Sequence, residues 1–209
     1  ADKLGLLVWQ DLVNGNATSV DGRIQLERET RAELESRWNH PSIILWVVFN
    51  EGWGQYDTVR LTNRVKRLDP SRLANNASGW TDAGAGDVID WHIYPGPASP
   101  NPEPRRAAVL GEYGGLGLVV PDHLWNTNTW SYAGYQNAEE LMVAYEDLQR
   151  RVYRLKDNPG LSAVVYTQIT DVEGEVNGLL TYDRLLKVDV DRIARLNKGI
   201  IPPLPPMLS

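Results

Sequence analysis

Ile43-Ile44-Leu45-Trp46-Val47-Val48-Phe49 is an unbroken run of seven apolar residues. A strand with one wet face would alternate apolar and polar side chains. One that is apolar at every position is covered on both faces, as in a parallel sheet flanked by helices. Shorter runs of the same type recur at Leu4–Trp9, Leu73–Ser78, Val88–Ile93, Ala107–Leu110 and Ser162–Tyr166. Helical patterns lie between them. Residues 27–39 place Leu34 and Trp38 four apart. Residues 55–68 carry Leu61, Val65 and Leu68 on one face and stop at Asp69-Pro70. The clearest helix is 138–156, where Leu141, Tyr145, Leu148, Val152 and Leu155 recur at spacings of four and three. Asn137 and Glu140 form a capping pattern at its start, and Asn158-Pro159-Gly160 ends it.

Strand–helix alternation predicts right-handed βαβ units and a parallel sheet, with six strands in all. Residues 95–104 hold five prolines and read as a stiff loop. Residues 113–136 contain Trp125 and Trp130 but no periodicity, and read as a long loop of the kind usually kept for function. The organisation predicted is one catalytic domain over 1–200 and a Pro-rich tail over 201–209.

Composition narrows the function. The 209 residues carry 21 Lys+Arg against 27 Asp+Glu, a formal net charge of −6, and the basic residues are scattered. That is not the footprint of a nucleic-acid binder. No apolar run reaches the roughly 18 residues that span a bilayer. With no cysteine, disulfides and thiolate metal sites are excluded, while the compartment stays open. Three histidines, His40, His92 and His123, show no paired spacing, so no metal and no cofactor is predicted. Neither a phosphate-cradling loop nor a nucleophile elbow is present. The aromatic bias is to Trp (8) and Tyr (9) over Phe (1). Such rings suit surfaces that are half apolar and half wet, as sugars are.

In a parallel α/β architecture the working residues lie at the carboxyl ends of strands. Glu51 follows the long apolar run in Asn50-Glu51-Gly52-Trp53-Gly54, and Glu112 follows Ala107–Gly111 in Gly111-Glu112-Tyr113-Gly114-Gly115. One such residue alone reads as a helix cap or an arginine's partner. Two in the same glycine-and-aromatic setting point to paired carboxylates, the requirement for glycoside hydrolysis. Their separation, which decides between retention and inversion, is not legible in sequence.

The segment Asn39-His40-Pro41-Ser42-Ile43-Ile44-Leu45-Trp46, running on to Asn50-Glu51, resembles the acid/base signature of family 2 glycoside hydrolases. That family holds β-galactosidases, β-glucuronidases and β-mannosidases. The likeness extends to Leu4–Asp11, to Gly111-Glu112-Tyr113-Gly114 and to Asp171–Arg184. It implies an α/β fold of (β/α)₈ TIM-barrel type, here reduced to about six units, the third to the eighth strands, without the family's upstream domains. It also implies a retaining double displacement in which Glu51 holds the proton as acid/base and Glu112 stays ionised as nucleophile. Asn50 would bond the sugar 2-hydroxyl. Tyr94 would contact Glu112, and His92, Trp53 and Asp11 would line the substrate. Where many relatives carry a platform Trp, this chain has Tyr166-Thr167-Gln168. The Asn-x-Lys motif of β-glucuronidases is absent, since Asn177 is followed by Gly178-Leu179.

The resulting expectation is a retaining β-glycosidase acting on β-galactosides. Its partner is a carbohydrate, with no nucleic acid and no membrane, and the open sheet edge is to be covered by a second copy or by an altered barrel. The rival from another class is a non-catalytic carbohydrate-binding remnant of such an enzyme.

Overall fold

The computed structural model describes residues 1–13, 15 and 17–203. The last six positions of the expected Pro-rich tail lie outside them. The chain packs as two compact units. The first is 1–92 with 99–111 and 161–163. The second is 93–98, 112–160 and the described residues from 164 onward.

In the first unit, strands β1 (Val8–Asp11), β2 (Ile43–Val47) and β3 (Leu73–Asn75) form a parallel sheet in that order. The apolar run of β2 is covered on both faces. Ile43, Trp46, Val48 and Phe49 pack with Leu26 and Leu34 of α1 (Val20–Arg37) and Leu61 and Val65 of α2 (Thr58–Leu68). Leu45 and Val47 pack with Val88 of β4 (Val88–Ile93) and Val109 of β5 (Ala107–Gly114). A further sheet has the order β4-β5-β8, with β8 at Ala163–Thr167.

Several boundaries differ from the sequence reading. β1 begins at Val8, not Leu4. Asp2–Leu4 is one turn of 3₁₀ helix closed by Gly5 at φ +67°, and pairing starts where the Val8 N–H reaches Ser42 O at 2.8 Å. α1 starts seven residues before the expected 27, because Ser19 caps it by accepting from Gly22 N at 3.1 Å. Trp38 is not on its buried face. It is the C-cap, 60% exposed, while Leu34 is buried. α2 ends at Asp69 as its Pro70 requires. That carboxylate, buried, accepts from Trp46 Nε1 at 2.9 Å and from Arg72 Nη1 at 2.7 Å. Burial alone would push its pKa up. Hydrogen bonds from Ser71, Trp46 and Arg72 outweigh that and hold it down at about 2.

In the second unit α3 (Ala138–Asp157) is the main helix. Asn137 Oδ1 accepts from Glu140 N at 3.0 Å and Glu140 Oε2 accepts from Gln136 N at 3.0 Å. Leu141, Tyr145, Leu148 and Val152 are buried, as the stripe predicts. Two strands appear inside the stretch read as a loop: β6 (Leu116–Leu118) and β7 (Ala133–Tyr135), paired parallel. A fourth helix, α4 (Val190–Asn197), escaped the sequence reading. Asp189 caps it, and Tyr145 donates to Asn197 Oδ1 at 2.7 Å, tying it to α3. Among the described residues no helix is long and apolar enough to cross a membrane.

Candidate active site

In the first unit the site grows from the end of β2. Past Val47 the chain is still buried through Phe49, then turns at Asn50–Gly54. Asn50 and Ser78 bridge across that end. Ser78 N bonds Phe49 O at 2.8 Å, Glu51 N bonds Ser78 O at 2.9 Å, and Ser78 Oγ donates to Asn50 Oδ1 at 2.7 Å. Glu51 is therefore anchored to Ser78 by its own N–H at a rigid strand end. Its φ of +53° is the left-handed region that a non-glycine residue enters at a cost, a strain that functional sites commonly store.

The Glu51 carboxylate meets His92 from β4, with Oε1 and Nδ1 2.9 Å apart. The His92 side chain is only 2% exposed against 17% for Glu51, so the ring sits behind the carboxyl and orients it. This approach depends on Gly79 (φ +84°), where a Cβ would fall 2.6 Å from the imidazole. Trp53, 62% exposed, stands in the turn, its N–H bonded to Asn50 O at 3.0 Å. Asp11 is at the carboxyl end of β1, in register with Val47. Beneath lies a buried polar layer. Asp90 of β4 accepts from Asn75 Nδ2 at 2.7 Å and from Gly111 N at 2.6 Å.

In the second unit Glu112 lies within β5 rather than after it, because the strand runs to Gly114. Strand alternation turns Tyr113 the other way, into the core, where its hydroxyl accepts from Gln149 Nε2 at 2.6 Å. Tyr94 donates its hydroxyl proton to Glu112 Oε2, and Thr167 Oγ1 stands 3.0 Å from the same hydroxyl. Burial first, and then the Glu112 carboxylate, push the Tyr94 phenol far above its ordinary pKa, so it stays a donor. Tyr132 stacks flat on Tyr94, rings 3.7 Å apart and 5° from parallel.

The sequence singled out Glu51, Glu112, Asn50, Tyr94, Trp53, Asp11 and His92, the last as a substrate contact, whereas its ring is buried against Glu51. It missed Ser78, Gly79, Thr167 and Tyr132. A glycine in Ser78-Gly79-Trp80 after an apolar strand was a usable sign of close backbone approach. Nothing local marks Thr167 or Tyr132.

Residues 8–96 match the model described as "Glycosyl hydrolases family 2, TIM barrel domain". A curated β-galactosidase of Leuconostoc mesenteroides subsp. mesenteroides is 35% identical over 66 residues, 32% of this chain and 6% of that protein. Among solved structures, a β-galacturonidase from Eisenbergiella tayi bound to galacturonate superposes with a TM-score of 0.64 at 19% identity. It covers 91% of this chain and 40% of its own. Bacteroides uniformis β-glucuronidase 2, solved bound covalently to a cyclophellitol-6-carboxylate aziridine, gives 0.61 at 18% identity over 89% of this chain and 27% of its own. At these identities the structures speak for the fold. The chain spans less than half of each of these relatives.

Proposed function

We propose that this chain, which matches the family 2 TIM barrel domain over residues 8–96, is the catalytic part of a retaining β-glycosidase. The observation that carries the reading is the Tyr94–Glu112 hydrogen bond. A phenol that keeps its proton is a fixed donor to one oxygen of an ionised carboxylate, which suits that carboxylate to attack at carbon.

In the first step Glu112 forms a bond to the anomeric carbon. The C–O bond to the leaving group breaks, and the leaving oxygen takes the proton of Glu51. In the second step Glu51, now a carboxylate, removes a proton from water as the water displaces Glu112. This returns both groups to their starting states with configuration retained. His92 is a positioning residue for Glu51. Asn50, its Oδ1 engaged by Ser78, is proposed to bond the sugar 2-hydroxyl, an interaction that strengthens as the oxocarbenium character grows. Trp53 and Asp11 are proposed to line the sugar from the turn and from the end of β1.

The glycone we propose is galactose. The local likeness to a β-galactosidase supports it, and so does the environment of Asn177. That side chain is fully buried, accepts from Gln168 at 2.7 Å and donates to Glu175 at 2.8 Å, so it is engaged inside the protein rather than by a sugar carboxylate.

The test is intact-mass labelling with 2-deoxy-2-fluoro β-glycosides, in which the fluorine slows breakdown of the glycosyl-enzyme. The expected result is a stoichiometric adduct on Glu112, formed fastest with the galactoside. An adduct on another residue overturns the assignment. Absence of any adduct from folded protein that still binds saccharide establishes the non-catalytic reading instead. Fastest labelling by a glucuronide or mannoside overturns the galactose assignment alone.

A further inference from the structure

Tyr132 and Trp130 form a second aromatic layer outside the ring that holds Glu112. Tyr132 lies flat on Tyr94, and Trp130 meets Tyr132 edge-on, with centroids 5.4 Å apart and planes at 74°. Both are open to solvent, Trp130 at 49% and Tyr132 at 47%. Single exposed aromatics are ordinary on a protein surface, but a contiguous and immobilised set is not. Trp130 is clamped by its backbone on both sides, its N–H to Gly174 O at 2.8 Å and its carbonyl to Val176 N at 3.0 Å. Tyr132 N bonds Gly115 O at 3.2 Å, and a Cβ at Gly115 would stand 2.4 Å from the Tyr132 ring. The backbone therefore holds two half-exposed aromatic rings in place, and their solvent-exposed parts gain no stabilisation from water. Rings that are flat, rigid and polar at one edge match the face of a pyranose, which carries C–H groups on one side and hydroxyls at its rim.

We propose that Trp130 and Tyr132 are a binding subsite for a second pyranose ring of the substrate, adjacent to the ring attacked at its anomeric carbon. The order of the stack supports this placement. Tyr94 is engaged with Glu112, Tyr132 lies one ring beyond it, and Trp130 one ring further. The indole thus addresses a part of the ligand beyond the reacting ring. The proposal rests on Glu112 being the nucleophile of a glycosidase, and it makes the natural ligand at least a disaccharide.

The experiment measures binding rather than turnover. The full chain is titrated with an S-linked β-galactosyl disaccharide, which resists hydrolysis, and with the matching methyl β-galactoside. The corresponding glucuronide pair is run alongside. Ligand-observed NMR and tryptophan fluorescence report the affinities. In one of the two sugar series the disaccharide binds more tightly. Trp130→Ala and Tyr132→Ala each reduce that advantage, Trp130→Ala by about tenfold, the scale of one good aromatic contact. Trp130→Phe keeps most of it. Circular dichroism checks the fold of each variant, which the backbone clamps at Trp130 should preserve. Equal losses for both ligands would overturn the proposal in favour of a platform for the attacked ring. No loss, or no disaccharide advantage in the unsubstituted chain, would overturn it outright. Failure of the nucleophile reading shows separately, as absence of the covalent adduct on Glu112, while the disaccharide advantage remains measurable.

Discussion

Gly79 leaves His92 the space to reach Glu51. A Cβ there would stand 2.6 Å from the ring atoms, at a φ of +84° that already excludes most side chains. The acid/base candidate is thus oriented by a histidine whose place depends on a missing methyl group one strand away.

Substituting Gly79→Ala should move the imidazole and with it the Glu51 carboxyl. We expect stability to fall by about 2 kcal/mol from the left-handed backbone and the overlap together. Activity should fall ten- to a hundredfold, as misplacement of a catalytic group does. Thermal unfolding and glycosidase kinetics on the same samples check both. Undiminished kcat in a destabilised but folded protein would show that His92 does not position Glu51.

Glu51→Gln should separate substrates by leaving group. A general acid is worth about 10²–10⁴-fold where the departing oxygen needs a proton, and far less where it does not. Alkyl and sugar glycosides should therefore lose that factor in the glycosylation step, while a dinitrophenyl glycoside keeps most of its rate in that step. Pre-steady-state kinetics reads the difference. Equal losses on both substrates would remove Glu51 from the acid role.

Tyr94→Phe deletes the donor that favours the charged form of the Glu112 carboxylate. The acidic limb of the kcat/KM profile should move to higher pH, and the pH-independent rate should fall by about 10²-fold. A profile whose acidic limb stays in place, with KM alone changed, would mean that Tyr94 only shapes the pocket.

Asp69 offers a stability test away from the chemistry. Its folded pKa of about 2 lies below the ordinary 3.8, so the carboxylate stabilises the fold above pH 3.8, and that contribution disappears as pH falls through 2. Asp69→Ala also strands the Trp46 indole N–H and the Arg72 guanidinium, and should cost about 3 kcal/mol near neutrality. Denaturant unfolding between pH 2 and 6 should show the gap to wild type narrowing on acidification. A gap independent of pH would mean that packing, and not the charge, is what Asp69 supplies.

The elements legible in the sequence are those whose signal is local. Helix α3 announces its start through Asn137 and Glu140 and its buried face through Leu141, Tyr145, Leu148 and Val152. Strand β4 was readable to the residue, and β2 nearly so, because both are bounded by turn residues. Strands β6 and β7 were not. Three residues carry no periodicity, and Leu116–Leu118 is a strand only because Ala133–Tyr135 lies beside it. Helix α4 has two buried positions, Ile193 and Leu196, too few to stand out from the surrounding chain.

The sequence by itself determined that this is an α/β chain with a strand buried on both faces. It also determined that Glu51 and Glu112 sit at or near strand ends, since an apolar run and the glycines that follow it are written consecutively. Tertiary structure alone decided what else holds those carboxylates: His92 through the gap at Gly79, Ser78 on Asn50, and Thr167 and Tyr132 against the Tyr94 that the resemblance had set beside Glu112. The reason is physical. A hydrogen bond or a ring stack depends on distance in space, and these partners lie 18 to 73 positions apart along the chain. Their proximity exists only once the strands have packed.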